Sequence, residues 1–137
     1  KRVNDGHGHA AGDAVLAAVA ARAAGALRAG DLLARTGGEE FAILMPGADL
    51  AAAAEAAERI RARIAEGPVE GGPALTVTVS LGCAALAPGE EGRSLLARAD
   101  AKLYEAKGAG RNRVSAWLTA GCERFNCSAA RLTLRCS

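Results

Sequence analysis

Two glycines and two glutamates stand side by side between apolar segments in the stretch ARTGGEEFAIL. Gly37 and Gly38 suit the tip of a tight β-hairpin, and a backbone without side chains lets a bulky anion approach closely. Glu39 and Glu40 offer carboxylate oxygens, which hard divalent cations prefer. Because strand side chains alternate between faces, only one acid can point toward a ligand at the end of the sheet. The stretch indicates a site for a cation and an anion, or else an ordinary hairpin with solvated acids.

Other polar residues each have a simple structural explanation when they are taken singly. Asp13 precedes an apolar helical pattern and is predicted to cap that helix. Lys107 falls in a predicted last helical turn, where a cation complements the helix dipole. Arg111 suits a solvated loop, and Arg28 with Asp31 suits a surface salt bridge. None of these residues establishes a function alone.

The elements that must position these residues follow from hydrophobic spacing. Residues 1–12 are polar and glycine-rich and are predicted to form a loop. Apolar residues at helical spacing predict three helices, and alternating or continuous apolar runs predict strands on both sides of the glycines and later in the chain. The predicted helices run from Asp13 to Leu27, from the cap Asp49 to Ile64 and over 94–107, and the strands cover 31–36, 40–45, 74–86 and 111–117. This order predicts an α/β fold with one mixed sheet covered by helices.

The amino-acid composition limits the classes of protein to which this chain can belong. The chain has 137 residues, half of them apolar but only 3% aromatic, so its core must be built from Ala, Leu, Val and Ile. A net charge of +2 with dispersed cations argues against a nucleic-acid partner. The sequence has no apolar run of membrane-spanning length, so no membrane contact is predicted and a cytoplasmic location is expected. Cys83 is expected in the core, and the three later cysteines fit no zinc pattern well and are expected to be free thiols.

Five short motifs in order resemble the GGDEF family, the diguanylate cyclases. GGEEF at 37–41 is similar to the family signature in its Glu-for-Asp form. The other four lie at the family's intervals: KRVND at 1–5, GHAAGD at 8–13, RAGD at 28–31 and AKGAGRN at 106–112. The resemblance covers residues 1 to about 116. It implies a mixed, mainly antiparallel sheet flanked by helices, as in nucleotidyl cyclases and polymerase palms.

The resemblance also implies a reaction and the residues that carry it. The family condenses two GTP into cyclic di-GMP, with one GTP on each of two facing domains and Mg²⁺ or Mn²⁺ as cofactor. By this resemblance Glu39 and Glu40 bind the metal and, with Lys1, are the catalytic residues. Gly38 lets the phosphates approach, as the family's glycine does.

The remaining matches concern recognition of the nucleotide and of the product. Asn4 and Asp13 match the guanine readers, which suits guanine because a carboxylate accepts from both N1–H and the N2 amine. The resemblance assigns the triphosphate to Lys1, Lys107 and Arg111. It assigns Arg28 and Asp31 to an inhibitory site for cyclic di-GMP, because Arg stacks on bases and forks onto phosphate.

The family's first strand, which carries an Asp that binds both metals, is expected upstream of Lys1. The 137-residue chain is therefore predicted to be inactive, to expose unpaired strand edges and to derive from an active longer protein. The resemblance implies that a sensory or phosphoacceptor domain usually precedes such a domain, and this sequence does not indicate which. Residues 1–116 are predicted to be the truncated GGDEF domain, and 117–137 a tail of unknown role. Its segment RLTLR alternates like a strand but has no predicted partner.

Three other interpretations stay open. A catalytically silent sensor of GTP or cyclic di-GMP is disfavoured because both signature glutamates are present. A different nucleotidyl cyclase or a polymerase palm is disfavoured by the guanine readers. A purely structural partner module requires that the five motifs are coincidental.

Overall fold

The computed structural model describes the backbone of residues 2–69, 74–116 and 127–136 and the side chains of residues 3–69 and 74–116. Within these ranges helices and strands alternate much as the hydrophobic spacing predicts. The helices are α1 (Arg2–His7), α2 (His9–Ala24), α3 (Leu50–Ala65) and α4 (Gly92–Gly108), and the strands are β1 (Leu32–Gly37), β2 (Glu40–Pro46), β3 (Val77–Ala85), β4 (Val114–Ala116) and β5 (Cys127–Cys136).

The described strands form one sheet in the order β1-β2-β5-β3-β4. β1 and β2 are an antiparallel hairpin, and β5 runs antiparallel to both of its neighbours. β3 and β4 pair in parallel. The predicted mixed, mainly antiparallel sheet with flanking helices is thus confirmed.

The position of β5 differs from expectation. The segment RLTLR had no predicted partner, yet β5 pairs on both sides, with Thr133 opposite Glu40 of β2 and Ser80 of β3. β2 and β3 are therefore paired on both sides, so neither carries the unpaired strand edge predicted for this chain. A partner so distant along the chain leaves no local pattern in the sequence. The boundary at residue 116 stays a prediction, although β5 joins the same sheet as the residues before it.

The core lies on one face of the sheet, where α3 packs on β3 and α2 packs beside α3. Residues 79–85 of β3 are buried without interruption, which is typical of a strand covered on both faces. Val15 and Val19 of α2 and Ile60 of α3 belong to the same buried cluster as Leu81. Cys83 is fully buried there, as predicted, and burial raises the pKa of its thiol to about 12.

The opposite face of β3 carries α4. Ala84 of β3 packs with Leu95 and Ala99 of α4. Leu95, Ala99, Leu103 and Ala106 form the buried side of this helix. The approach is closest at Gly82, where a Cβ would lie only 2.1 Å from the backbone nitrogen of Leu103.

The first twelve residues contain helix rather than the predicted loop. α1 ends before Gly8. The φ of 81° at Gly8 interrupts the helical backbone, and α2 begins at the next residue, His9. The Gly8 N–H donates to the Asn4 carbonyl at 3.0 Å. Asp13 consequently lies inside α2, and Gly8 occupies the N-cap, so the prediction that Asp13 caps this helix is wrong.

Two arginines join the C-terminal ends of α2 and α3. Arg22 of α2 donates to the carbonyls of Ile64 at 2.8 Å and Pro68 at 2.7 Å. Arg63 of α3 donates in return to the Gly25 carbonyl at 2.8 Å. Each cation meets carbonyls that helical bonding leaves without a donor, and it offsets the partial negative charge of the helix end. Arg63 therefore has a structural role at the end of α2.

Candidate functional site

The tip of the β1–β2 hairpin has a defined turn. Gly38 and Glu39 form the turn, and Glu40 begins β2. Gly38 has a φ of 45°, which only glycine adopts at little cost. The Arg35 guanidinium donates twice to the Gly38 carbonyl, at 2.9 and 2.7 Å. The sequence placed both glycines in the turn with both acids after it, whereas Glu39 is itself a turn residue.

The two acids differ in exposure and in position. Glu39 is exposed at the apex, and Glu40 is half-buried opposite Thr133 of the central strand. Mg²⁺ commonly takes one or two carboxylates and completes its shell with water and substrate phosphates. The two carboxylates at the hairpin tip, those of Glu39 and Glu40, fit that pattern. Among the side chains that the structure describes, no group of three or more His, Cys, Asp or Glu gathers as a cation site.

The predicted guanine readers occupy neighbouring helices. Asn4 lies on α1, and Asp13 is exposed in the second turn of α2. The Asn4 amide lies against Gly12, since a Cβ there would be 1.8 Å from its Oδ1 atom. Any larger residue at position 12 would displace Asn4, so Gly12 fixes where this amide lies relative to the next residue, Asp13. Of the predicted phosphate-binding cations, Lys1 lies outside the described residues.

The other two cations flank the end of α4. Lys107 is half-buried in the last turn of α4, as predicted. Arg111 is exposed in the following turn with a φ of 63°, and Asn112 has a φ of 46°. The Arg111 N–H donates to the Ala106 carbonyl at 3.0 Å, which ties this turn to the helix end.

Arg28 and Asp31 form an ion pair that is more ordered than an isolated surface pair. Arg28 Nε donates to Asp31 Oδ1 at 3.1 Å, and the Arg28 backbone N–H donates to Oδ2 at 3.2 Å. Arg28 Nη2 also donates to the Pro46 carbonyl at 2.7 Å. The side chain of Asp31 is only 4% exposed and that of Arg28 is 55% exposed. The pair contacts Pro46, the last residue of β2, whereas Glu40 is the first residue of that strand. The pair therefore lies six residues, or about 20 Å, along the strand from the hairpin tip.

Sequence reasoning missed two arginines that shape these turns. Arg35 holds the hairpin tip, and Arg61 reaches from α3 to the Asn112 side chain at 2.9 Å. The contact joins residues 51 positions apart, so no local spacing could reveal it.

The fold and the acidic hairpin define an α/β domain of the nucleotidyl-cyclase kind. The sequence model described as "Diguanylate cyclase, GGDEF domain" matches residues 1–113. The chain therefore belongs to the GGDEF-domain family of diguanylate cyclases, and the resemblance inferred from the motifs is confirmed.

Named relatives agree with this assignment. The chain is 45% identical over 115 residues to diguanylate cyclase DgcP of Pseudomonas aeruginosa, covering 83% of this chain and 17% of the relative. The crystal structure of diguanylate cyclase SiaD of P. aeruginosa with its activator SiaC matches with a TM-score of 0.80 and 39% identity, over 85% of this chain and 45% of that one. The GGDEF domain of DgcB from Caulobacter crescentus, solved with c-di-GMP, matches with a TM-score of 0.75 and 38% identity, over 82% and 68%.

The chain thus spans about a sixth of DgcP and less than half of the SiaD chain. In the described part of the chain, no helix combines the length and the apolar character needed to cross a membrane.

Proposed function

We propose that this domain condenses two GTP into one cyclic di-GMP and two pyrophosphates. The observation that carries the proposal is the glycine turn with an exposed Glu39 at its apex and Glu40 directly after it. The 3′-oxygen of one GTP bonds to the α-phosphorus of the other, the bond from that phosphorus to pyrophosphate breaks, and the hydroxyl proton leaves. A second, equivalent transfer closes the ring.

Each functional group has a place in this proposal. Glu39 and Glu40 hold the divalent ion, and Gly38 leaves room for the phosphates. When bound, Mg²⁺ or Mn²⁺ neutralises phosphate charge and lowers the pKa of the attacking hydroxyl. Lys107 and Arg111, with Lys1, hold the triphosphate. Phosphoryl-type transfer depends mainly on such positioning and charge stabilisation.

Two copies of the domain are required, because each copy holds one GTP and the two nucleotides must face each other. The partner is accordingly a second GGDEF domain, and the proposal places the domain in the cytoplasm, where GTP is available.

The test uses an extended form, in which the first strand of a related cyclase is placed ahead of Lys1. This form is incubated with GTP and Mg²⁺, and the products are separated by chromatography. We expect cyclic di-GMP from the extended form and none from the 137-residue chain. Absence of product from a folded, dimerised extended form would reject the proposed activity.

Guanine selection should depend on Asp13. Asp13→Asn replaces one acceptor oxygen with an N–H that opposes a guanine donor, so GTP binding to the extended form should weaken by about 1–3 kcal/mol. ATP binding should change far less. Asp100→Asn, an exposed acid on α4, is the matched control and should leave GTP affinity unaltered. Equal GTP affinity for the Asp13 variant and the parent would remove the guanine-reader role, as isothermal titration would show.

The same proposal includes feedback by the product at Arg28 and Asp31. Arg28→Ala removes the guanidinium that would stack on a base and fork onto phosphate. The inhibition constant for cyclic di-GMP should rise at least about tenfold, while initial rates stay within about twofold because the pair is remote from the hairpin tip.

Arg93→Ala, an exposed arginine on α4, is the control for charge and should leave inhibition unchanged. Since Asp31 loses its ion-pair partner, thermal unfolding of Arg28→Ala is measured in parallel. A stably folded variant with normal product inhibition would return the pair to a structural role.

A second candidate is a catalytically silent module that binds cyclic di-GMP. The formed Arg28–Asp31 pair, with its additional bond to Pro46, favours this alternative because it needs no cation at the hairpin. Product binding without any turnover in the extended form would support it over the cyclase.

A further inference from the structure

The turn between α4 and β4 has an unusual backbone. Arg111 and Asn112 are consecutive residues with φ values of 63° and 46°, and they are the only non-glycine residues of the described chain with positive φ. Asn tolerates this left-handed region fairly well, but Arg does so poorly. Such a conformation persists only where the surroundings hold it, and it commonly marks a functional site.

Backbone bonds fix the two ends of this turn. Behind it, the Arg111 N–H donates to the Ala106 carbonyl at 3.0 Å. Ahead of it, the Arg113 carbonyl accepts from the Leu81 N–H at 3.0 Å, where β4 begins its pairing with β3. The turn is thus anchored to α4 on one side and to the sheet on the other.

A third contact comes from α3 and reaches the middle of the turn. Arg61 Nη1 donates to Asn112 Oδ1 at 2.9 Å. The rest of the same guanidinium is occupied by Glu58, which accepts from Nε at 2.9 Å and from Nη2 at 2.5 Å. The side chain of Arg61 is 21% exposed, and its planar guanidinium lies between its two partners, Glu58 and Asn112. The bond to Arg61 lowers the pKa of Glu58.

We propose that Arg61, oriented by Glu58, is a positioning residue that holds the Arg111–Asn112 turn in its left-handed conformation and so places the Arg111 side chain for nucleotide phosphate. The second half of this statement rests on the proposed function, while the first half does not. Asn112 is the residue through which Arg61 acts. Because Arg61 contacts no part of the hairpin tip in the hydrogen bonds described, its effect on nucleotide must pass through the turn.

The first measurement needs no nucleotide. In the 137-residue chain, amide hydrogen exchange at Arg111 reports the bond to Ala106 directly. Arg61→Ala should speed that exchange at least tenfold, whereas Arg59→Ala, its neighbour on the exposed side of α3, should not change it. Unchanged exchange in Arg61→Ala overturns the proposal.

The second measurement separates positioning from general stability. Asn112→Gly gives the turn a residue that adopts positive φ freely and also removes the Arg61 contact. Adding Arg61→Ala to Asn112→Gly should therefore have little further effect on the exchange at Arg111. If Arg61→Ala causes the same loss in both backgrounds, Arg61 acts elsewhere and the proposal fails.

The third measurement is an NMR titration of the same variants with GTP and Mg²⁺, which detects weak binding. Arg61→Ala should raise the GTP dissociation constant about tenfold, with little further rise when it is added to Asn112→Gly. A normal dissociation constant beside accelerated exchange would overturn the link to phosphate. If the parent chain binds no GTP while exchange responds as expected, the hold on the turn stands and the proposed function fails for this chain.

Discussion

Replacing Glu39 with alanine in the extended form is expected to lower the rate of cyclic di-GMP formation at least about a hundredfold, the scale of losing a major electrostatic element. Glu39 lies exposed at the apex of the hairpin and outside the buried core. The turn itself depends on Gly38 and on the bonds from Arg35, which the substitution leaves intact. The loss should therefore fall on cation binding and not on folding.

Two companion variants sharpen this test. Glu39→Gln keeps the size of the side chain and removes its charge, so it should be nearly as impaired as the alanine variant. Glu55→Ala removes an exposed acid from α3 and should keep full activity. Initial rates are measured across a range of Mg²⁺ concentrations, because a weakened cation site should need more ion. An alanine variant with more than about half the parent rate would show that Glu39 does not hold the metal.

Much of the fold could be predicted because it follows from local pattern. The apolar stripe through Val15, Val19 and Ala23 is the buried face of α2. Asp49 caps α3 as expected, accepting from the Ala52 N–H at 2.8 Å. In each case the deciding neighbours lie within four residues, where helical spacing and capping chemistry act.

The features that escaped prediction depend on single backbone angles or on distant contacts. The positive φ of Gly8 moves the start of α2 ahead of Asp13, and a polar, glycine-rich sequence does not distinguish such a break from a loop. β5 pairs with residues that precede it by 43 (Ala85 with Ser128) to 93 (Glu40 with Thr133) positions. Arg61 and Arg63 look like solvated cations on a helix until the fold brings carbonyl and amide oxygens to them.

The sequence predicted the types of residue in the candidate site more fully than it predicted their arrangement in space. The glycine turn, its two acids and the Arg28–Asp31 pair lie on the elements that the motifs indicated. The roles of the site residues remain predictions, and what fixes their positions was not visible in the motifs. Arg35 at the hairpin tip and Gly12 beneath Asn4 set those positions. Motifs predict the groups that react, while the groups that orient them are set by packing.

Gly82→Ala is expected to destabilise the chain by about 3 kcal/mol, at the upper end of the cost of overpacking a core. Its Cβ would lie 2.1 Å from the Leu103 nitrogen and 2.2 Å from the Ala99 oxygen. These are backbone atoms of an i, i+4 pair in α4, so they cannot move aside as a side chain could. Either α4 shifts as a whole or β3 bends away from its neighbours in the sheet.

The expected loss is large against a total stability of about 5–15 kcal/mol for a domain of this kind. Gly108→Ala is the matched control, because it adds the same methyl group at the end of α4 where no atom lies within 4 Å. Urea unfolding followed by circular dichroism should place Gly82→Ala well below the parent and Gly108→Ala within about 1 kcal/mol of it. Since α4 carries Lys107 and leads into the Arg111 turn, any folded Gly82→Ala protein should also bind GTP more weakly. Similar midpoints for both variants would mean that α4 does not approach β3 as closely as the packing at Gly82 requires.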